Sequence, residues 1–333
     1  MRILNVLVFA SLMVSLPSAA QPLTEVVAWR DVPDRRWPGP NVWANRLEDW
    51  SVQDGVLRCN AGLNGQNWRT AHLLSHDLAA EGDAFRIEVD LDRSHKGQAG
   101  ILFAAGEGME DHRRASMVQS LPGLGGGFLI VWQFDRNRLA FLDYGSESDD
   151  VNPPALQGER SVRMLEGAVP GRATLVLTAR SAGADTFTLK AQLMEGERVI
   201  AESMAKVPTA RLAGNIALAS RGSEDAAGHR FHAIRAGGER IATHHDRGFG
   251  PIAGVLYSVA NGDLKVGVQC VSLGRTVNAS GNNPPSRLSL RLERRSMDGT
   301  WTAVTPPTGV SEPDYYTLLR VRGHDTSNAH DFR

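Results

Sequence analysis

Phe85-Arg86-Ile87-Glu88-Val89-Asp90-Leu91-Asp92 decides the fold. Phe85, Ile87, Val89 and Leu91 alternate with Arg86, Glu88, Asp90 and Asp92. In an extended chain successive side chains leave opposite faces, so the apolar groups line one side and the charged groups the other. Such a strand belongs to a sheet that is packed on one face and wet on the other.

The same period of two recurs outward in both directions, and convincing helical stripes are hard to find, so the chain reads as all-β. Gly127 to Phe134 and Arg138 to Tyr144 flank Asp135-Arg136-Asn137, the signature of a hairpin with a three-residue turn. Both of its arms are apolar on both faces. Further strands are expected at Ala173 to Arg180, Thr186 to Leu193, Arg198 to Ala205, Gly214 to Ser220 and Arg230 to Arg235, divided by turns such as Glu195-Gly196-Glu197. That number suits a large two-sheet sandwich.

The first residues differ in kind. Arg2 precedes an apolar run from Ile3 to Leu16, too short to cross a bilayer, and Pro17-Ser18-Ala19-Ala20 follows with small residues at the spacing a signal peptidase accepts. We expect a secretory leader over residues 1–20 and an exported, secreted or periplasmic, product. No later segment reaches the roughly 18 apolar residues of a membrane helix. With 36 basic and 37 acidic side chains the net charge is −1, so neither a nucleic-acid nor an anionic-membrane footprint is present. Cys59 and Cys270, the two cysteines, both fall on inward-facing positions of apolar alternation and read as buried thiols.

A composition break at Thr243-His244-His245-Asp246-Arg247-Gly248-Phe249-Gly250-Pro251 marks the expected boundary between a first sandwich over 21–245 and a second over 246–333. Strands resume at Val255 to Val259 and Leu264 to Val271, then at Arg287 to Arg294, Trp301 to Val304 and Tyr315 to Val321. This smaller sandwich resembles immunoglobulin or fibronectin type III modules. Such modules carry about seven strands in roughly 100 residues, so residue 333 is expected to fall inside an unfinished one.

Two stretches carry a further resemblance. Trp50-Ser51-Val52-Gln53-Asp54-Gly55-Val56-Leu57, with Phe85 to Val89 and Gly97 to Phe103, resembles concanavalin or laminin-G-like jelly rolls. Gly214 to Ser220, Arg230-Phe231, Asp246 to Ile252, Asn261 to Gln269 and Asp298-Gly299-Thr300-Trp301 resemble the sandwich region that precedes the catalytic domain of exported PhoD-like metallophosphatases, a family of alkaline phosphatases. The resemblance implies phosphate-ester hydrolysis with calcium or another divalent metal, all in a C-terminal catalytic domain. The motifs of that domain, D-x-H, G-D-x-x-D and G-N-H-D/E, do not occur in this sequence. No cofactor is therefore expected in this chain.

Among the candidate site residues, Glu88, Asp90 and Asp92 come first. E-x-D-x-D resembles the carboxylate strand of concanavalin-like glucanases, and alternation aims all three at one face. Neighbours two apart lie about 7 Å from each other, while retaining glycosidases want about 5 to 5.5 Å, and a solvated strand face explains the same charges. Trp132, with Trp68 and Tyr144, offers an aromatic platform for a sugar or a place in the core. The histidines at 72 and 76, 229 and 232, and 244 and 245 lack the companions that close a zinc shell. Asp143, Glu147, Asp149 and Asp150 carry oxygens for calcium but no EF-hand register. The glycines of 122–127 lead into a strand, not a helix, and read as a turn rather than a phosphate loop. Ser75, Ser116 and Ser120 lack a nucleophile-elbow context.

No complete catalytic site is legible. The leading expectation is a non-catalytic region of an exported PhoD-like phosphatase with a positioning or binding role. The alternative is a stand-alone module that binds a glycan or cell-surface polymer through Glu88, Asp90, Asp92 and Trp132. A concanavalin-like glycoside hydrolase stands behind both.

Overall fold

The computed structural model describes residues 22–60, 68–93, 96–106, 122–146, 154–156, 161–165, 170–222, 228–273, 289–311 and 314–333. The leader at 1–20 and the acidic positions Glu147, Asp149 and Asp150, like Ser116 and Ser120, lie outside them. Among the described residues the only helical pieces are two single turns of 3-10 helix, Leu47–Asp49 and Thr209–Arg211. No helix among them is long and apolar enough to cross a membrane.

Two eight-stranded antiparallel sheets make the large sandwich. With strands numbered in chain order, the first sheet runs β13 (Arg198–Pro208), β12 (Thr186–Glu195), β11 (Arg172–Ser181), β6 (Ala84–Asp92), β15 (Arg230–Gly237), β4 (Val56–Cys59) and β3 (Trp50–Gln53), with β1 (Thr24–Ala28) also on β15. The second runs β10 (Val162–Met164), β9 (Arg138–Asp143), β8 (Phe128–Gln133), β7 (Gln98–Gly106), β14 (Gly214–Arg221), β5 (Arg69–Leu78) and β16 (Ile241–Thr243), with β2 (Val42–Ala44) also on β5. The decisive alternation is observed in β6, where Phe85, Ile87, Val89 and Leu91 are all buried in the core between the sheets.

The expected hairpin is β8–β9, and Asn137 closes its turn at φ 47°, a left-handed conformation that asparagine tolerates. Its two apolar faces have separate destinations. Phe128, Ile130, Trp132, Leu139 and Phe141 enter the inter-sheet core, whereas Leu129, Val131, Ala140 and Leu142 join Trp68, Leu102 and Tyr144 in a second buried cluster. The second sheet is thus apolar on both sides, which is why no polar alternation marks its central strands.

Beyond β16, the amide of Phe249 donates to the Pro40 carbonyl at 2.9 Å and that of Val271 to the Pro251 carbonyl at 2.9 Å. The small sandwich follows. Its three-stranded sheet is β17 (Ile252–Ala260), β18 (Asp263–Cys270) and β23 (Tyr316–Arg322), set against the pairs β19 (Ser289–Leu290) with β22 (Thr308–Gly309) and β20 (Glu293–Arg295) with β21 (Trp301–Ala303). Its core is a cluster of its own, including Leu264, Val266, Val268, Leu292 and Leu319. Cys59 is buried in the large core and Cys270 in the small one, and no disulfide joins them.

Three buried polar side chains of the large sandwich find partners within it. Arg240 is 2% exposed, and its guanidinium donates to the carbonyl oxygens of Ala80 at 2.7 Å, Gly82 at 3.0 Å, Leu212 at 3.0 Å and Thr209 at 3.3 Å while lying over the Phe187 ring. His229 pairs through Nδ1 with Ser220 Oγ at 2.8 Å and through Nε2 with the Lys96 carbonyl, and its ring stacks on Phe134. His72 pairs with Thr70 Oγ1 at 3.1 Å beside Trp43.

Two expected outcomes follow from this core. Trp132→Ala removes a fully buried indole and lowers unfolding stability by about 3–5 kcal/mol, read from urea midpoints, with Trp132→Phe intermediate. Burial pushes His72 and His229 down to about 4, whereas in the unfolded chain each titrates near 6.5. Their stabilising contribution is complete above about pH 6.5 and is lost as pH falls towards 4, by up to about 1.4 kcal/mol per pH unit for each histidine. Urea midpoints should drop between pH 6.5 and 4.5, and a His72→Asn/His229→Asn variant should flatten that slope.

Candidate functional site

The carboxylates singled out in the sequence lie on the outer face of the first sheet, where β6 runs between β11 and β15. Register places Arg235 of β15 beside Glu88 and Thr174 of β11 beside Asp90. Arg235 donates from Nε to Glu88 at 2.9 Å and from Nη1 and Nη2 to Asp90 at 3.0 and 2.8 Å. Arg86 adds two bonds to Glu88, and Thr174 Oγ1 donates to Asp90 at 2.7 Å. Asp92 meets His232 Nε2 at 2.7 Å and Arg230 at 3.2 Å.

This arrangement matches each acid with cations of its own sheet. Burial raises the Asp90 carboxyl, but the Arg235 and Thr174 hydrogen bonds outweigh it, so Asp90 titrates below its ordinary value. A glycosidase general acid needs the opposite shift. Trp132 corrects the expected sugar platform: it faces the inter-sheet core, fully buried, because the inner face of β8 takes Phe128, Ile130 and Trp132 together. Trp68 and Tyr144 are buried as well, edge to face at 6.2 Å.

Two hydroxyl–imidazole pairs resemble fragments of a catalytic triad. Ser220 with His229 lies wholly in the core, out of reach of a substrate. Ser75 Oγ meets His76 Nδ1 at 2.9 Å, yet the nearby Asp77 carboxylate is engaged by His244 Nε2 and Arg247, each at 2.9 Å, and does not orient His76. Among the described residues no group of three or more His, Cys, Asp and Glu gathers to hold a metal.

What the structure does assemble is a polar pocket of about 430 Å³ along β5, bounded by Asn41, Ser75, His76, Thr243, His244 and His245. The β2 and β16 strands pair with successive halves of β5, Val42 with Leu73 and Thr243 with His76. The Leu74 amide bonds the Asn41 carbonyl and the His244 amide the Ser75 carbonyl, both at 2.8 Å. Burial, and then the positive potential of His244 and His245, hold His76 below its ordinary pKa, so it faces the pocket neutral near pH 7. Sequence reading treated these histidines as separate groups, because the register of β16 on β5 unites residues more than 160 positions apart. A second cavity, of about 650 Å³ and apolar, lies in the small sandwich beside Val255, Tyr257, Val259, Leu264 and Phe332.

The carboxylate ladder has a measurable consequence. Arg235→Ala leaves Glu88 and Asp90 short of three charge-assisted hydrogen bonds and should cost about 2 kcal/mol at pH 7. Because Asp90 titrates below its unfolded value, this contribution is present above about pH 4 and fades as pH falls further. Chemical denaturation should show the gap between wild type and variant narrowing below that pH.

No protein-family model and no curated protein matches the chain. Solved structures do, at low identity. The Emp46p carbohydrate recognition domain aligns at 14% identity over 64% of this chain and 94% of its own, with a TM-score of 0.40. A legume lectin-like domain from Entamoeba histolytica aligns at 11% identity over 64% of this chain and 97% of its own, with a TM-score of 0.40. The alginate lyase Aly36B aligns at 15% identity over 68% of this chain and 100% of its own, with a TM-score of 0.38. The resemblance to exported metallophosphatases gains no support from these comparisons. By their names these neighbours include both binding domains and an enzyme.

Proposed function

We propose that the protein is an exported, non-catalytic binding module that takes a hydroxyl-rich ligand, a glycan unit of a cell-surface polymer, in the polar pocket along β5. The observation that carries this reading is the lining of that pocket. Asn41, His76, Thr243 and His245 surround a volume within the roughly 300–1,000 Å³ of small-ligand sites. Asn and Thr side chains and the neutral imidazole of His76 each donate and accept, the pairing that a sugar hydroxyl requires. Such polar groups favour a hydroxylated ligand and penalise an apolar one that leaves them unpaired. At the rim, His244 and Arg247 both bond to the Asp77 carboxylate. Export is read from the leader-like start of the sequence.

A glycan-array screen of the purified protein, followed by titration calorimetry on the hits, tests this. Binding to at least one polysaccharide is expected, weakened about tenfold or more by Asn41→Ala and by His245→Ala at an unchanged thermal midpoint. No binding across neutral and acidic polysaccharides, or binding that both variants retain, removes the reading.

A further inference from the structure

The small sandwich leaves one strand uncovered. All nine residues of β17 are exposed, with Leu256 at 83% and Tyr257 at 77%. In its sheet β17 pairs with β18 alone, so among the described residues its outer edge has no strand beside it. Ile252-Ala253-Gly254-Val255-Leu256-Tyr257-Ser258-Val259-Ala260 contains no charged side chain. Two other long edge strands do carry charge: β13 has Arg198, Glu202 and Lys206, and β23, at the far edge of the same small sheet, has Arg320 and Arg322. Charges on an edge strand oppose pairing with another chain, and β17 lacks that protection.

We infer that β17 is a homodimer interface, pairing antiparallel with β17 of a second copy to form one continuous six-stranded sheet. The sequence suits its own partner. A two-fold axis at Leu256 sets Val255 opposite Tyr257 of the second copy, both on the groove-facing side. Aromatic against β-branched is a favourable cross-strand pair. With no charge on either strand, self-pairing meets no repulsion, and it joins the two apolar grooves into one trough across the dimer. This site is separate from the polar pocket, so either reading can fail without the other.

Sedimentation velocity on the purified protein should show a species of twice the chain mass by micromolar concentrations. Leu256→Lys sets two ammonium groups face to face on the axis and should raise the dimer dissociation constant at least about tenfold. Because Leu256 is already exposed, the monomer's thermal midpoint should not move. Leu256→Glu alone should behave likewise, and an equimolar mixture of the two variants should recover a dimer through the opposed charges. A wild type that stays monomeric to about 200 μM, a dimer indifferent to Leu256→Lys, or a mixture that remains monomeric would each overturn the inference. A monomer whose β17 amides are protected from exchange by some other strand would do the same.

Discussion

The long strands of the large sandwich each give one face to a single shared core, and much of the structure follows from that demand. Strand β6 shows it most plainly. It lies between β11 and β15 with four apolar side chains turned inward, so its alternate positions have nowhere to point but out. Three carboxylates and an arginine on neighbouring outward positions would repel and desolvate one another unless adjacent strands answered them. Arg235, Thr174, His232 and Arg230 do so from β15 and β11. An outer-face array that resembles catalytic machinery on paper is thus a neutralised ladder, a result of where the core lies.

The second sheet meets the same demand twice. With Phe128, Ile130 and Trp132 committed to one cluster and Leu129 and Val131 to another, it has no wet central face. Ser220 with His229 and Thr70 with His72 therefore satisfy each other at low dielectric. His229 and His72 stay neutral for that reason, and their role is in folding rather than proton transfer.

Legibility tracked how local each feature is. Alternation in β6 and the turn at Asp135 to Asn137 are written within a few consecutive residues, and both were readable. The direction of Trp132 was not, because a strand that is apolar on both faces has no phase from which to choose one. Strands of two or three residues, such as β2, β10 and β16, are too short to show any period. The segment expected as one strand from Arg287 divides into β19 and β20 at Arg291-Leu292, where Leu292 turns into the small core. Least legible was the polar pocket. It exists only because β16 returns to pair with β5, a register set by long-range packing rather than by any motif.

The Arg240 guanidinium ends as a lesson in which positions are free to vary. It holds the 80–82 turn and the 209–212 turn through main-chain oxygens alone. Those contacts need no particular side chain on either segment, since a carbonyl is present whatever residue bears it. The donor has no such freedom: lysine has no planar fork to reach several acceptors at once. One strictly specified residue therefore anchors two segments through atoms that every residue carries, while Gly82, with no room for a Cβ, and the buried Leu212 are held to their identities by other constraints.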